Sequence, residues 1–338
     1  MTSPIPPDEQ GARTPASDSP RELPDLPPVE LPSASFVVQL FLIPAAVVVA
    51  VVAVWLLFGK LAGGGRDALD YVREIRSGSG SWRSAYELAT LLGNDPALAS
   101  DPRLLGELTE MLDAELAGAE DPELARYLTL ALGTFQSLDA RLADGRAVDP
   151  LATLSTALDA RFGIPIRLAA AASLARHAAR LDGRFDDARA VAALAGAAAA
   201  PDSPELRRLA VFGLGFCAGE AASDALKVRV ESDADRFVRY NAAVALARRG
   251  DPAATAPLRE MLATTELERP LETPDEPDSS RLVETIQLQA LEAIIAAATI
   301  DPFHRLQPEV EALTRSGSAA VRIRAAEVLQ KLQASPRL

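Results

Sequence analysis

The chain has 338 residues, with 34 basic and 47 acidic side chains and a net charge of −13. A charge of that sign argues against nucleic acid as a partner, because a binder needs cations to displace counterions from phosphates. Apolar residues make up 49% and aromatic ones only 5%, a balance suited to closely packed helices, and the single cysteine, Cys217, excludes an intrachain disulfide and a cysteine-built metal site.

Residues 1–35 hold nine prolines, and six acidic residues against Arg13 and Arg21. Such a segment buries too little apolar surface to offset chain entropy, so a disordered, acidic, proline-rich tail is expected. Residues 36–58, FVVQLFLIPAAVVVAVVAVWLLF, form a stretch of 23 without a charge. As a helix the stretch reaches about 34 Å, enough to cross a hydrocarbon core of roughly 30 Å. Pro44 lies in its first half, a kink that membrane helices accommodate, and Trp55 suits the far interface. A cleaved signal peptide fits less well, since 35 acidic-biased residues come first and the apolar run exceeds the usual core of about 7–15 residues. Lys60, Arg66, Arg73 and Arg76 follow the span, whereas only Arg21 precedes it within reach. That bias predicts a single-pass protein of the cell membrane, with the N-terminus outside and the large C-terminal region cytoplasmic. Residues 59–66, with four glycines, read as a linker.

The region 67–338 carries a repeat. Val238-Arg239 is followed by Ala242-Ala243 and Leu246, and the same template recurs at Leu206-Arg207, Ile166-Arg167 and Val321-Arg322. An aliphatic-Arg pair precedes small or apolar residues three and four positions after the Arg and Leu seven after it, all on one helix face. Weaker copies centre on Ala85, Ala125 and Gln287, so the register positions are 85, 125, 167, 207, 239, 287 and 322, at spacings of 32 to 48. Second helices fit between them, for instance over 253–262, and Asp-Pro and Gly breaks punctuate the pattern. The segment 264–280, with three prolines and an acidic bias, breaks the period and reads as a mobile insert.

At these residues the sequence resembles the HEAT family, in particular the shorter phycobilin-lyase-type HEAT-like repeats. The resemblance implies an all-α solenoid of about seven helix pairs behind a single transmembrane helix. It also implies that the repeat arginines cap or bridge repeats, an Asp six residues before a repeat Arg often pairing with a neighbouring repeat's Arg, a spacing kept clearly only by Asp233 and Arg239. In that family the helix with the Val-Arg pair lines the inner surface. Arg208, Phe212, Tyr240, Asn241 and Arg248 would then face a protein partner, the two rings standing out in an aromatic-poor chain.

Motifs for catalysis are absent. No G-x-S-x-G or phosphate-binding loop occurs, and neither His177 nor His304 is followed by Glu, so the His-Glu pairs with which the deoxyhypusine hydroxylases of this repeat class bind iron are missing. His177 is expected on the surface or partly packed, and Cys217 in the core. These readings point to a non-catalytic, membrane-anchored interaction scaffold without cofactor or metal, holding a protein at the cytoplasmic face. A structural envelope component and a lyase-like enzyme of the same repeat class are the alternatives.

Overall fold

The computed structural model describes residues 48, 51–52, 68–78, 81–118, 121–263, 267 and 279–334. The chain divides into two units, Met1–Gly65 and Arg66–Leu338. Of the proposed span only Val48, Val51 and Val52 are described, helical and exposed; the tail, the linker and the rest of 36–58 lie outside the described residues. Among the described residues no helix is long and apolar enough to cross a membrane.

The second unit is a succession of helices in two rows. One row comprises α1 (Ala68–Arg76), α3 (Pro102–Gly118), α5 (Pro150–Ala157), α7 (Ala188–Ala198), α9 (Glu220–Ser232), α11 (Thr255–Leu262) and α14 (Gln307–Leu313). The other comprises α2 (Ser81–Asn94), α4 (Pro122–Leu132), α6 (Ile164–Leu181), α8 (Pro204–Leu214), α10 (Arg236–Arg248), α12 (Ser279–Ala296) and α15 (Ala319–Ala334). A short α13 (Asp301–His304) joins α12 to α14. Each helix of the second row packs on the next of its row and on its partner in the first, the arrangement of a helical-repeat solenoid. All seven register positions fall in this second row.

Local chemistry explains where the helices begin. Asp121, Asp149, Ser203 and Asp235 are N-caps whose side chains accept from backbone N–H groups of the first turn, and proline follows the first three. The periodic apolar residues are the core: Leu92, Leu132, Leu174, Leu214 and Leu246, each seven past its register position, are 0–2% exposed. Small residues bring the helices together. A Cβ on Gly133 would sit 2.3 Å from Ser173 Oγ, and one on Gly213 3.1 Å from the Ala175 Cβ.

One expectation needs correction. The chain is predominantly helical but not purely so, because Ala140–Arg141 and Ala147–Val148 form an antiparallel hairpin, β1 and β2. Its turn contains Asp144-Gly145, with Gly145 at φ +86°, and the Arg141 backbone lies against Gly106 of α3 so closely that a Cβ there would come within 2.3 Å. Within the insert 264–280, Leu267 is helical and 3% exposed, and Ser279 already belongs to α12; the remainder lies outside the described residues.

Candidate functional site

The repeat arginines come first, because they hold the second row in place. Arg167 donates to Asp202 at 2.9 Å, and Arg207 binds Asp233 through two hydrogen bonds of 3.0 Å. Arg207 also donates to Ala200 O (3.1 Å), and Arg239 and Arg322 donate to carbonyls of the loops before their own helices, Asp233 O (2.9 Å) and Ser316 O (2.7 Å). Arg167 and Arg207 thus bridge successive repeats, whereas Arg322 closes the start of its own helix. Asp233 keeps the expected spacing of six from Arg239, whereas Asp202 stands five before Arg207, which hid its role in the sequence.

Positions two, five and nine past the register Arg lie opposite the buried stripe. On α8 these are Leu209, Phe212 and, just past the helix end, Phe216; on α10, Asn241, Val244 and Arg248; on α12, Gln289 and Glu292. The three helices together form a groove of about 180 Å³ lined by Phe212, Asn241, Val244, Arg248, Gln289 and Glu292. Gly215 sets the close approach of its first wall, since its Cβ position is 3.1 Å from the Ala245 Cβ. Phe212 is 48% exposed and meets Phe216 edge-on, with centroids 5.1 Å apart. The Arg248 guanidinium lies 5.5 Å from the Phe216 ring and has no carboxylate partner among the described residues. A ring, a cation and an amide therefore open to solvent at one place.

Of the five residues singled out from sequence, Phe212, Asn241 and Arg248 line this groove, and Asn241 Nδ2 donates to Arg208 O at 3.4 Å. Arg208 is committed elsewhere: it pairs with Asp235 (Nε to Oδ1 3.1 Å) and stacks over Phe237 at 4.8 Å. Burial would raise the Asp235 carboxyl, but the Arg208 hydrogen bond and the N–H groups of Val238 and Phe237 outweigh it and hold the group below the usual carboxylate range. Tyr240 does not face a partner. It is 3% exposed, and its hydroxyl donates to Glu260 Oε1 at 2.7 Å, because α11 covers that side of α10. Burial and the Glu260 carboxylate together push its phenol upward. Gln289 and Glu292 complete the groove; their offset from Gln287 is the only signal that would have found them.

His177 also differs from expectation. It is 1% exposed, with Nε2 3.1 Å from Leu132 O and Nδ1 facing Arg180 Nη2. A carbonyl can only accept, so Nε2 carries the proton and Nδ1 accepts from the guanidinium. Burial and the nearby Arg180 charge press its pKa down to about 3, making it a neutral packing element between α4 and α6. Cys217 is buried as expected, though beyond the end of α8, where it bridges to Phe185. Arg249 closes that helix end by donating to Leu214 O (2.7 Å), Cys217 O (2.6 Å) and Ser223 Oγ (2.7 Å). Among the described residues no group of three or more His, Cys, Asp or Glu side chains could hold a metal ion.

Residues 197–269, which contain α8, α10 and most of the groove, match the family of HEAT repeats. The match is to HEAT repeats in general and does not extend to the phycobilin-lyase type. No curated protein matches the chain. Among solved structures, the chain is similar to human deoxyhypusine hydroxylase in complex with glycerol, at 18% identity and a TM-score of 0.31, over 75% of this chain and 81% of that one. That protein is by its name an enzyme, so the expectation that this kind of chain is non-catalytic is withdrawn.

Proposed function

We propose that the chain is a scaffold that holds a protein partner in the groove shared by α8, α10 and α12, and that residues 36–58 anchor it in a membrane with the repeat unit on the cytoplasmic side. The observation that carries this reading is the half-exposed Phe212 ring beside the Asn241 amide and Arg248, which has no ion pair among the described residues. Exposed aromatic and arginine side chains at the centre of a shaped surface are the residue types that dominate binding energy. Tethering adds to this, because confinement at one membrane face raises the effective concentration of the groove toward other membrane proteins.

The test is crosslinking of the full chain in cells, beside a Phe212→Ala, Arg248→Ala double variant. Both side chains are exposed, so the variant keeps its stability within about 0.5 kcal/mol. One dominant partner that is lost in the variant supports the groove. A partner that persists in the variant places the site elsewhere and overturns the assignment.

A further inference from the structure

A second surface lies at the other end of the helix row. Trp82 and Tyr86 of α2 converge on Tyr127 of α4: Trp82 stacks on it with centroids 5.9 Å apart, and Tyr86 meets it edge-on at 5.5 Å. Trp82 is 40% and Tyr86 53% exposed, in a chain with only two Trp and four Tyr. Arg83 lies 5.3 Å from the Trp82 ring and Arg126 5.1 Å from the Tyr127 ring. Arg126 is paired with Glu123 at 3.2 Å, and Arg83 has no ion pair among the described residues. The Trp82 indole N–H and the Tyr86 and Tyr127 hydroxyls make no hydrogen bond within the described residues.

We propose that Trp82, Tyr86 and Tyr127 dock onto the lipid headgroup layer of the membrane that holds residues 36–58, an inference that rests on the anchor proposed above. The rings supply apolar bodies, while the indole N–H, the two hydroxyls and Arg83 supply polar tips with no partner among the described residues. That combination suits the boundary between hydrocarbon and water, where Trp and Tyr concentrate and arginine meets phosphate. The place in the chain agrees. Helix α1 begins ten positions after Phe58, a distance that an extended chain covers in at most about 35 Å. Trp82 and Tyr86 themselves stand 24 and 28 positions after Phe58, on the second helix to follow the proposed anchor.

The experiment uses the full chain with Trp55→Phe, which leaves Trp82 as the single tryptophan, reconstituted into vesicles of phosphatidylcholine and phosphatidylglycerol. Retention after alkaline carbonate washing reports the anchor, and Trp82 emission reports docking. The expected result is retention together with quenching of Trp82 about twofold stronger by a nitroxide near the headgroup than by one at the acyl-chain end. Arg83→Glu, at an exposed position, then reduces that quenching without loss of retention. Retained protein whose Trp82 is untouched by lipid nitroxides and open to aqueous quencher overturns docking and leaves the anchor standing. Shielding of Trp82 that appears only on adding cell extract also overturns it, assigning the patch to a protein. Loss of the chain on carbonate washing overturns the anchor and the docking together.

Discussion

Asp233 and Arg207 meet across the boundary between successive repeats with both carboxylate oxygens engaged, Nε donating to Oδ2 and Nη2 to Oδ1 at 3.0 Å each. The side chains are 2% and 11% exposed, and Asp233 Oδ1 also accepts from the Asp235 N–H at 2.9 Å. Removing one member of such a pair strands a buried charge. Asp233→Ala is therefore expected to destabilise the unit by about 3 kcal/mol, whereas Arg126→Ala, which breaks an exposed pair, costs less than about 0.5 kcal/mol. Urea unfolding midpoints compared at a common slope check both values.

His177 makes stability depend on pH in a definite direction. Its pKa falls from 6.5 to about 3 in the fold, so between these values the unfolded chain binds a proton that the folded chain refuses. The contribution is fully present above pH 6.5 and is lost as pH falls toward 3. Between about pH 6.5 and about pH 5 the loss from this group alone is about 2 kcal/mol. His177→Gln removes the titration and should flatten that part of the stability profile; an unchanged slope would mean that the imidazole is charged or exposed.

Two glycines should respond in opposite directions to the same substitution. At Gly133 a new Cβ would meet Ser173 Oγ at 2.3 Å and its Cα at 2.8 Å, so α4 and α6 must separate. At Gly196, inside α7, nothing lies within 4 Å. Gly133→Ala is expected to cost about 2 kcal/mol through overpacking, and Gly196→Ala to stabilise by about 0.5–1 kcal/mol through helix propensity. Thermal unfolding of the two variants against the parent measures the contrast.

Cys217 should be inert while the protein is folded. It is 2% exposed, and burial pushes its thiol from 9.0 up to about 12. The thiolate is the reactive form, so alkylation near neutral pH should run about a thousandfold slower than for an open thiol, even before burial is counted. Iodoacetamide labelling with and without urea tests this, and rapid labelling of the folded chain would show that the region beyond α8 opens.

The sequence by itself determined what is local and periodic. Helix periodicity placed all seven register positions in one row, because an apolar face repeated every few residues leaves a helix only one way to turn. The Asp-Pro breaks marked helix starts for the same reason: the cap and the proline act within one turn. Tertiary structure alone decided which exposed-looking positions stay exposed. Phe212 and Tyr240 both read as large rings off the buried stripe, yet α11 covers Tyr240 while Phe212 opens into the groove. Gln289 and Glu292 join that groove from a helix whose register position has lost its arginine. His177 finds Leu132 across 45 residues, and Arg167 finds Asp202 across 35. Such contacts depend on how far one helix stands from the next, a distance set by the small side chains of both and therefore by no single stretch of sequence.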